Sequence, residues 1–146
     1  MLAVARAAHV SVRSGELAMF SAAVEWCAIH EVPAGAGDYH WVYGNEGPLA
    51  GEGVPGVGEY AVAEFAAATG MSTDAGRRFL GAALEVSWRL PKLWEGVQAG
   101  TVPVWRARMV AEQTITLTPE AAAFVDRHVA AVAGKVGPTQ LERLVL

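Results

Sequence analysis

The amino-acid sequence predicts an all-α fold, a single compact multi-helix domain with a helix-turn-helix-like core and a long N-terminal helix. The 146 residues are 53% hydrophobic and 18% charged, which suffices for one buried core but leaves little room for two domains. Alanine dominates the apolar content and aromatic residues supply only 8% of the chain, which favours helices over strands of β-branched residues. Apolar residues also recur at helical spacing.

The N-terminal segment carries one amphipathic repeat. Its apolar side chains recur at spacings of three and four residues, at Leu17, Phe20, Val24 and Cys27. This spacing, which Val10 continues towards the N-terminus, predicts a helix over about residues 3–31 that Gly15 weakens without ending. Such a helix can pack across its own domain or pair with a second copy, so a homodimer stays open as an alternative.

Residues 32–58 form a predicted connector. They contain eight glycines and three prolines and show no periodic apolar face. An aromatic cluster at Tyr39, Trp41 and Tyr43 could hold the connector in place. Potential metal ligands occur at His30, Glu31, Asp38 and His40. We predict no metal site and no cofactor, because a glycine-rich loop gives these side chains no fixed geometry.

Residues 59–90 show the pattern of a helix-turn-helix. A helix from about Glu59 is predicted to end at Gly70, because glycine readily adopts the left-handed conformation that terminates helices. Ser72 or Thr73 can then cap the next helix. Asp74 in the first turn of that helix suits the positive end of the helix dipole.

Side-chain sizes around Gly70 fit the same motif in part. Ala66 is the small residue, four positions before the glycine, that lets the two helices approach each other. The apolar positions of the motif are filled by Phe65, Met71 and Phe79. Thr69 and Gly76 depart from the motif, because larger apolar residues are usual at these positions. A tight helical corner explains the pattern as well as DNA binding does.

The second helix of this pair supplies the candidate DNA-binding residues. If it enters a major groove, the outward residues of its N-terminal turns contact the DNA. We predict these contacts from Ser72, Thr73, Arg77 and Arg78, with Asp74 and Gly81 also facing outwards. Arginine can bind phosphate or a guanine edge, and hydroxyl groups can donate to phosphate. The alternative is that both arginines solvate an exposed helix face and pair with Glu85.

The charge distribution limits where DNA can bind. The whole chain has a formal net charge of −4, whereas residues 71–112 hold six basic against four acidic residues. An electrostatic footprint for duplex DNA is therefore confined to this central segment, and its balance of +2 is modest.

Two prolines and a glycine divide the chain after residue 89. Pro91 and Pro103 suit the first turns of two helices, and Gly100 suits the end of the first. Three aromatic residues are predicted to form a shared core, at Trp88, Trp94 and Trp105. A later helix is predicted to begin at a Thr118 cap and Pro119 and to run to about Ala133.

Four charged side chains of the central segment are assigned structural roles. Glu85 and Arg89 are predicted to form an ordinary i, i+4 ion pair worth a few tenths of a kcal/mol. Arg106 and Arg108 are predicted to project to different sides of their helix, so they do not form one anion clamp. Arg108 is expected to pair with Glu112.

The segment from residue 72 onwards resembles the domain of unknown function 222, an actinobacterial domain usually found N-terminal to an HNH endonuclease domain. The pieces that carry the resemblance are RLP at Arg89–Pro91, the Leu93–Gly100 frame, WRAR at Trp105–Arg108 and LTPE at Leu117–Glu120. The resemblance covers nearly the whole chain and is weakest in the glycine-rich connector. It implies a nuclease context.

An HNH site itself is not predicted in this chain. Such a site needs closely spaced histidines and an asparagine around one metal ion. The chain has a single asparagine, Asn45, and its histidines are scattered at positions 9, 30, 40 and 128. We therefore predict no catalytic residues. The apolar pattern at Leu141 and positions 144–146 favours a fragment whose partner is its own missing C-terminal domain, or alternatively an oligomer that covers this face.

The functional prediction is a non-catalytic N-terminal module of an HNH-endonuclease-like protein that binds duplex DNA through the 59–90 helix pair. The alternative is a protein-interaction or dimerisation module with no nucleic-acid role. We expect a cytoplasmic protein, because a single cysteine, Cys27, excludes an intramolecular disulfide. Arg6 and Arg13 interrupt the N-terminal apolar run before it resembles a signal peptide, and we expect no membrane partner.

Overall fold

The computed structural model describes residues 1–32, 48–133 and 143–145. The helices with described bounds are α1 (Leu2–Ile29), α2 (Glu59–Ala68), α3 (Thr73–Arg89), α4 (Pro91–Gln98), α5 (Val104–Thr114) and α6 (Pro119–Val129). Residues 143–145 are also helical, and the β-structure within the described ranges is one isolated bridge between Glu31 and Val57. The predicted all-α class and the long N-terminal helix are confirmed.

Helix α1 packs on the rest of the domain through its C-terminal half. Phe20, Ala23 and Cys27 are buried, whereas every residue from 1 to 12 is exposed. Val10 continues the predicted apolar repeat and is nevertheless 61% exposed. The repeat therefore extends beyond the part of α1 that the core covers. We call residues 2–12 the α1 arm.

Helix α3 is the centre of the fold and contacts each of the other five helices. Its residues from Phe79 to Val86 are all buried. The Phe79 ring packs edge-on against Phe20 of α1 at 5.7 Å between ring centroids, and it stacks on Phe65 of α2 at 6.0 Å. These three rings fill the space where α1, α2 and α3 meet.

The predicted tryptophan core is wrong. Trp94 is half-buried and packs against Phe20 at 5.9 Å, but Trp88 is 55% exposed and Trp105 is 46% exposed. The phenylalanine rings already occupy the junction of helices. Val104 and Ala107 of α5 face the core and are buried, whereas Trp105 lies on the solvent-facing side of the same helix.

The predicted i, i+4 ion pair between Glu85 and Arg89 is present, but the expectation of an ordinary exposed pair is wrong, because both side chains are buried. Glu85 is 0% exposed and Arg89 is 9% exposed. Arg89 Nε lies 3.4 Å from Glu85 Oε1, which is an ionic contact longer than a good hydrogen bond. Glu85 accepts hydrogen bonds from the Thr114 hydroxyl and from the backbone N–H of Gly51, each at 2.9 Å. The i, i+4 spacing gives no sign of this burial.

Arg89 joins the end of α3 to the turn between α5 and α6. Its Nη2 group donates to the carbonyl oxygens of Leu117 at 2.6 Å and Thr118 at 3.2 Å. Both carbonyls lie in the turn between α5 and α6, and the Thr118 carbonyl also accepts from the Ala122 N–H at 2.9 Å. We call Glu85, Arg89, Thr114 and Gly51, with the carbonyls that Arg89 binds, the buried polar network.

A second buried carboxylate caps α4. The Asp126 oxygens of α6 accept from the backbone N–H groups of Lys92 at 3.0 Å and Leu93 at 2.9 Å. Leu90, the N-cap residue of α4, makes no side-chain cap bond, so Asp126 satisfies donors that the sequence next to α4 leaves open. Helix α6, which Thr118 caps and Pro119 opens as predicted, ends at Val129 and not near Ala133.

The described part of the connector, residues 48–58, is packed into the fold. Leu49 and Val57 are buried, and Val32 donates to the Gly56 carbonyl at 2.9 Å. A Cβ atom on Gly51 would lie 1.4 Å from Arg89 Nη1, so only glycine fits beside the buried guanidinium. The aromatic cluster at residues 39–43 and most of the apolar C-terminal pattern lie outside the described residues, although Val145 is buried.

The buried polar network predicts a large stability effect at Glu85. We expect Glu85→Ala to lower the free energy of unfolding by about 3–5 kcal/mol, because it leaves the buried Arg89 guanidinium without its carboxylate. Urea unfolding followed by circular dichroism measures this change. Glu112→Ala removes an exposed glutamate and should change stability by less than about 0.5 kcal/mol. Equal effects from the two variants would contradict the network.

Candidate functional site

The predicted corner between α2 and α3 is present. Gly70 has φ +72°, in the left-handed region, and Met71 donates to the Ala66 carbonyl at 2.8 Å to close the turn. The Ser72 hydroxyl caps α3 by accepting from the Ala75 N–H at 3.1 Å. The end of α2, the glycine turn and the cap of α3 therefore lie where the sequence predicts them.

The two helices of the corner approach each other through Ala66 and Gly76. A Cβ atom on Gly76 would lie 2.6 Å from the Ala66 Cβ and 3.2 Å from its Cα. Gly76 departs from the helix-turn-helix pattern, and the contact gives the reason: the helices cross too closely for a side chain at this position. The corner is thus tighter than the motif requires.

The predicted DNA-binding residues lie at one end of α3 but differ in their surroundings. Ser72, Thr73 and Arg78 are exposed. Arg77 is half-buried and forms a salt bridge with Glu59 of α2. Within the described part of the chain, Arg78 makes no ion pair, so it is the candidate cation with its charge available to solvent.

The outward face predicted for α3 is shorter than expected. Gly81 was predicted to face outwards, and this is wrong: it is buried, and a Cβ atom there would lie 2.3 Å from the Leu49 carbonyl oxygen. The pairing of Arg77 or Arg78 with Glu85 is also wrong, because Glu85 belongs to the buried polar network. At its N-terminal end, the exposed face of α3 is therefore limited to the first turn and Arg78.

The other two arginines of the central segment support structure. Arg106 donates to the Ala133 carbonyl at 2.9 Å, and the Arg108 guanidinium lies 5.1 Å from the centre of the Phe79 ring. They point to different parts of the domain, as predicted. The expected Arg108–Glu112 pair is not among the ion pairs formed by the described residues.

The α1 arm is a second exposed surface, which the site prediction did not include. Its larger apolar side chains are all exposed, at Leu2, Val4, Val10 and Val12. Arg6 is its one formally charged residue. A run of exposed apolar residues is unusual on a monomeric protein surface. The signal in the sequence was the low charge of residues 2–12, but the periodicity alone assigned this repeat to the core.

A groove of about 290 Å³ lies where the arm passes the corner between α4 and α5. Its apolar lining includes Val10, Leu17, Val97 and Val102. Arg13 donates to the Gly100 carbonyl at 3.0 Å at this groove and so fixes α1 against the corner. His9 and Ser14 also line this groove.

The described part of the chain contains neither a cluster of metal-binding side chains nor a membrane-spanning helix. Across residues 1–32, 48–133 and 143–145, no three His, Cys, Asp or Glu side chains come together in a way that could hold a metal ion. Over the same ranges, no helix combines the length and the apolar character needed to cross a membrane.

Comparison of the chain with protein-family models, with curated proteins and with solved structures gives no match. Two exposed surfaces are therefore the candidate binding sites, namely the α2–α3 corner and the α1 arm.

The space around two helix glycines, Gly76 at the corner and Gly15 in α1, predicts opposite effects of alanine substitution on stability. We expect Gly76→Ala to destabilise the fold by about 1–3 kcal/mol, because its Cβ would collide with Ala66. Gly15 of α1 has nothing within 4 Å of its Cβ position, so Gly15→Ala should stabilise the monomer by about 0.5–1 kcal/mol. Urea unfolding at low protein concentration measures both values. A neutral Gly76→Ala would contradict the close crossing.

Proposed function

We propose that this chain is a non-catalytic protein-interaction module that contacts its partner through α1. The observation that carries the proposal is the α1 arm, whose residues are all exposed and mostly apolar. Covering such a surface in a complex gains roughly 25 cal/mol per Å² of apolar area removed from water. The arm also continues a helix that is fixed to the core by Phe20, so it can present its side chains without first having to fold.

The resemblance to the domain of unknown function 222 supports a nuclease-associated context for this module. In that context the chemistry belongs to an HNH endonuclease domain elsewhere in the protein, and this chain supplies contacts. The single cysteine supports a cytoplasmic location, and Cys27 is buried as a free thiol.

DNA binding through the α2–α3 corner is the second candidate function. The observation in its favour is the exposed group of Ser72, Thr73 and Arg78 beside a capped helix N-terminus. The face is small, because α3 is buried from Phe79 to Val86, and Glu59 neutralises Arg77. The corner therefore supports contact with the phosphate backbone better than insertion of α3 into a groove.

The interaction role predicts association that depends on the arm. We expect the wild-type chain to show an apparent mass that rises with concentration above its 15.3 kDa in sedimentation equilibrium. The double variant Val4→Glu, Val12→Glu should stay at the monomer mass, because it places charge on the apolar surface. Both positions are exposed, so circular dichroism should show an unchanged fold. A wild-type chain that stays monomeric at every concentration would contradict the proposal.

The DNA-binding role makes a separate prediction at Arg78. In a fluorescence titration of duplex DNA at several salt concentrations, Arg78→Ala should weaken binding and reduce the salt slope by about one. Arg77→Ala should have a smaller effect, because Glu59 already pairs with this charge. Arg127→Ala, at an exposed position on α6, is the matched control and should leave affinity unchanged. An affinity that Arg78→Ala does not alter removes this candidate.

A further inference from the structure

The side of α1 that faces away from the core is almost free of charge along the whole helix. We call this surface the outer face; its positions alternate at spacings of four and three residues, at 4, 8, 11, 15, 18, 22, 25 and 29. All eight positions are exposed, and Glu25 is the one charged residue among them. Arg13 instead points towards the domain, where it binds the Gly100 carbonyl. Solvent-facing sides of helices ordinarily carry the charges, so α1 has the reverse arrangement.

The outer face has large apolar side chains at its ends and small ones in between. Val4 is 69% exposed and Ile29 is 74% exposed, and neither is covered by any described part of the chain. The alternating spacing is the heptad pattern with which two helices pack side by side. A helix face with this spacing and a single charged residue fits another helix better than it fits water.

Gly15 lies in the middle of the outer face, and the described part of the chain gives no packing reason for a glycine at this position. A glycine in a helix interior destabilises the helix relative to alanine. The other helix-interior glycines each admit a neighbour where a Cβ would collide: Gly76 admits Ala66, Gly81 admits Leu49 and Gly96 admits Val102. At Gly15 nothing lies within 4 Å of the Cβ position. Its small size becomes useful once another backbone approaches this face.

We propose that the outer face of α1 packs, antiparallel, against the same face of a second copy of the chain. This proposal rests on the interaction role proposed above and specifies its partner. In the register that aligns the two heptad patterns, Gly15 faces Ala18 of the second copy and Ser11 faces its Ala22. Val4 at one end then faces Ile29 of the second copy at the other.

The order of side-chain sizes favours a second copy over an unrelated protein. A two-fold axis brings each position of one copy against a different position of the other, so the face must complement itself. Small residues meet small residues around the axis, and large apolar residues meet at both ends. The helix axes can then approach to about 8 Å, the short end of the range for packed helices. Ala8 faces Glu25 of the second copy and leaves its carboxylate room to reach water.

The size of this interface predicts a weak dimer. Residues 4–29 overlap over about 38 Å, and a helix of about 10 Å diameter offers a contact strip of roughly 400 Å² per copy. The two strips together cover about 800 Å², below the roughly 1,200 Å² of stable specific interfaces and in the range of weak, transient contacts. We therefore expect a dissociation constant in the micromolar range, measurable by sedimentation.

Disulfide cross-linking tests the orientation and the register. We would prepare Ser11→Cys and Ala22→Cys proteins and oxidise each alone and as an equal mixture. In the proposed dimer, position 11 faces position 22, whereas the two copies of position 11 are about 16 Å apart along the axis and beyond disulfide reach. The mixture should therefore give at least about tenfold more cross-linked dimer than either protein alone. Native Cys27 does not compete, because it is buried and burial raises the pKa of its thiol to about 12, which keeps it protonated.

The outcomes separate this inference from the interaction role itself. Cross-linking of Ser11→Cys alone indicates a parallel pair and overturns the antiparallel register. A wild-type dimer in sedimentation without the mixed cross-link overturns the register and leaves an interaction through another face of α1. A chain that stays monomeric at all concentrations overturns the interaction role as well.

A charge placed at the centre of the face provides an independent test. Ala18→Arg puts two guanidinium groups against the two Gly15 positions, and we expect it to weaken dimerisation at least about 100-fold. Position 18 is exposed in the single chain, so the melting curve at low concentration should match the wild type. Ala68→Arg adds the same charge at an exposed position on α2, outside α1, and should leave the dimer constant within about twofold. Equal dimer constants for Ala18→Arg and the wild type would overturn the proposal.

Discussion

The buried carboxylate of Glu85 is the interaction on which the rest of the fold depends. A carboxylate cannot lie in an apolar core without hydrogen-bond donors, and here the Gly51 N–H and the Thr114 hydroxyl donate to it. The Arg89 guanidinium supplies the opposite charge, with its Nε 3.4 Å from a carboxylate oxygen. Arg89 in turn binds the carbonyls that follow α5. These bonds fix the positions of the connector and of the α5–α6 turn relative to the central helix α3. Packing of apolar side chains alone is far less directional than this set of bonds.

The same network changes the meaning of the sequence motifs behind the family resemblance. Arg89 of the RLP piece donates to the carbonyls of Leu117 and Thr118 in the LTPE piece, so two motifs that are far apart in sequence form one contact. In the WRAR piece, Arg108 lies over Phe79 of the core. These charged residues hold the helices together and are not arranged around a ligand. The motifs therefore describe an architecture, and a nuclease context remains a proposal that depends on the resemblance.

The parts of the fold that could be predicted from sequence are those set by local backbone chemistry. The left-handed Gly70, the Ser72 and Thr118 caps and the prolines at helix starts act within a few residues, so the helix bounds follow closely from them. The surroundings of Glu85, Trp88 and Arg77 depend on which helices meet around α3. An i, i+4 spacing is the same on an exposed face and in a core. For this reason the sequence correctly located the corner but overestimated how much of α3 it leaves exposed.

The burial of α3 also explains why α1 is the better candidate for binding. Helix α3 contacts the other five helices with described bounds, and its exposed residues are limited to its first turn, Arg78 and Trp88. Helix α1 meets the core along one side of its C-terminal half, so its opposite side and its whole arm face solvent. Side chains on that side experience no constraint from the domain itself. The low charge of that side and the open space at Gly15 are both accounted for by the proposed second helix lying against it.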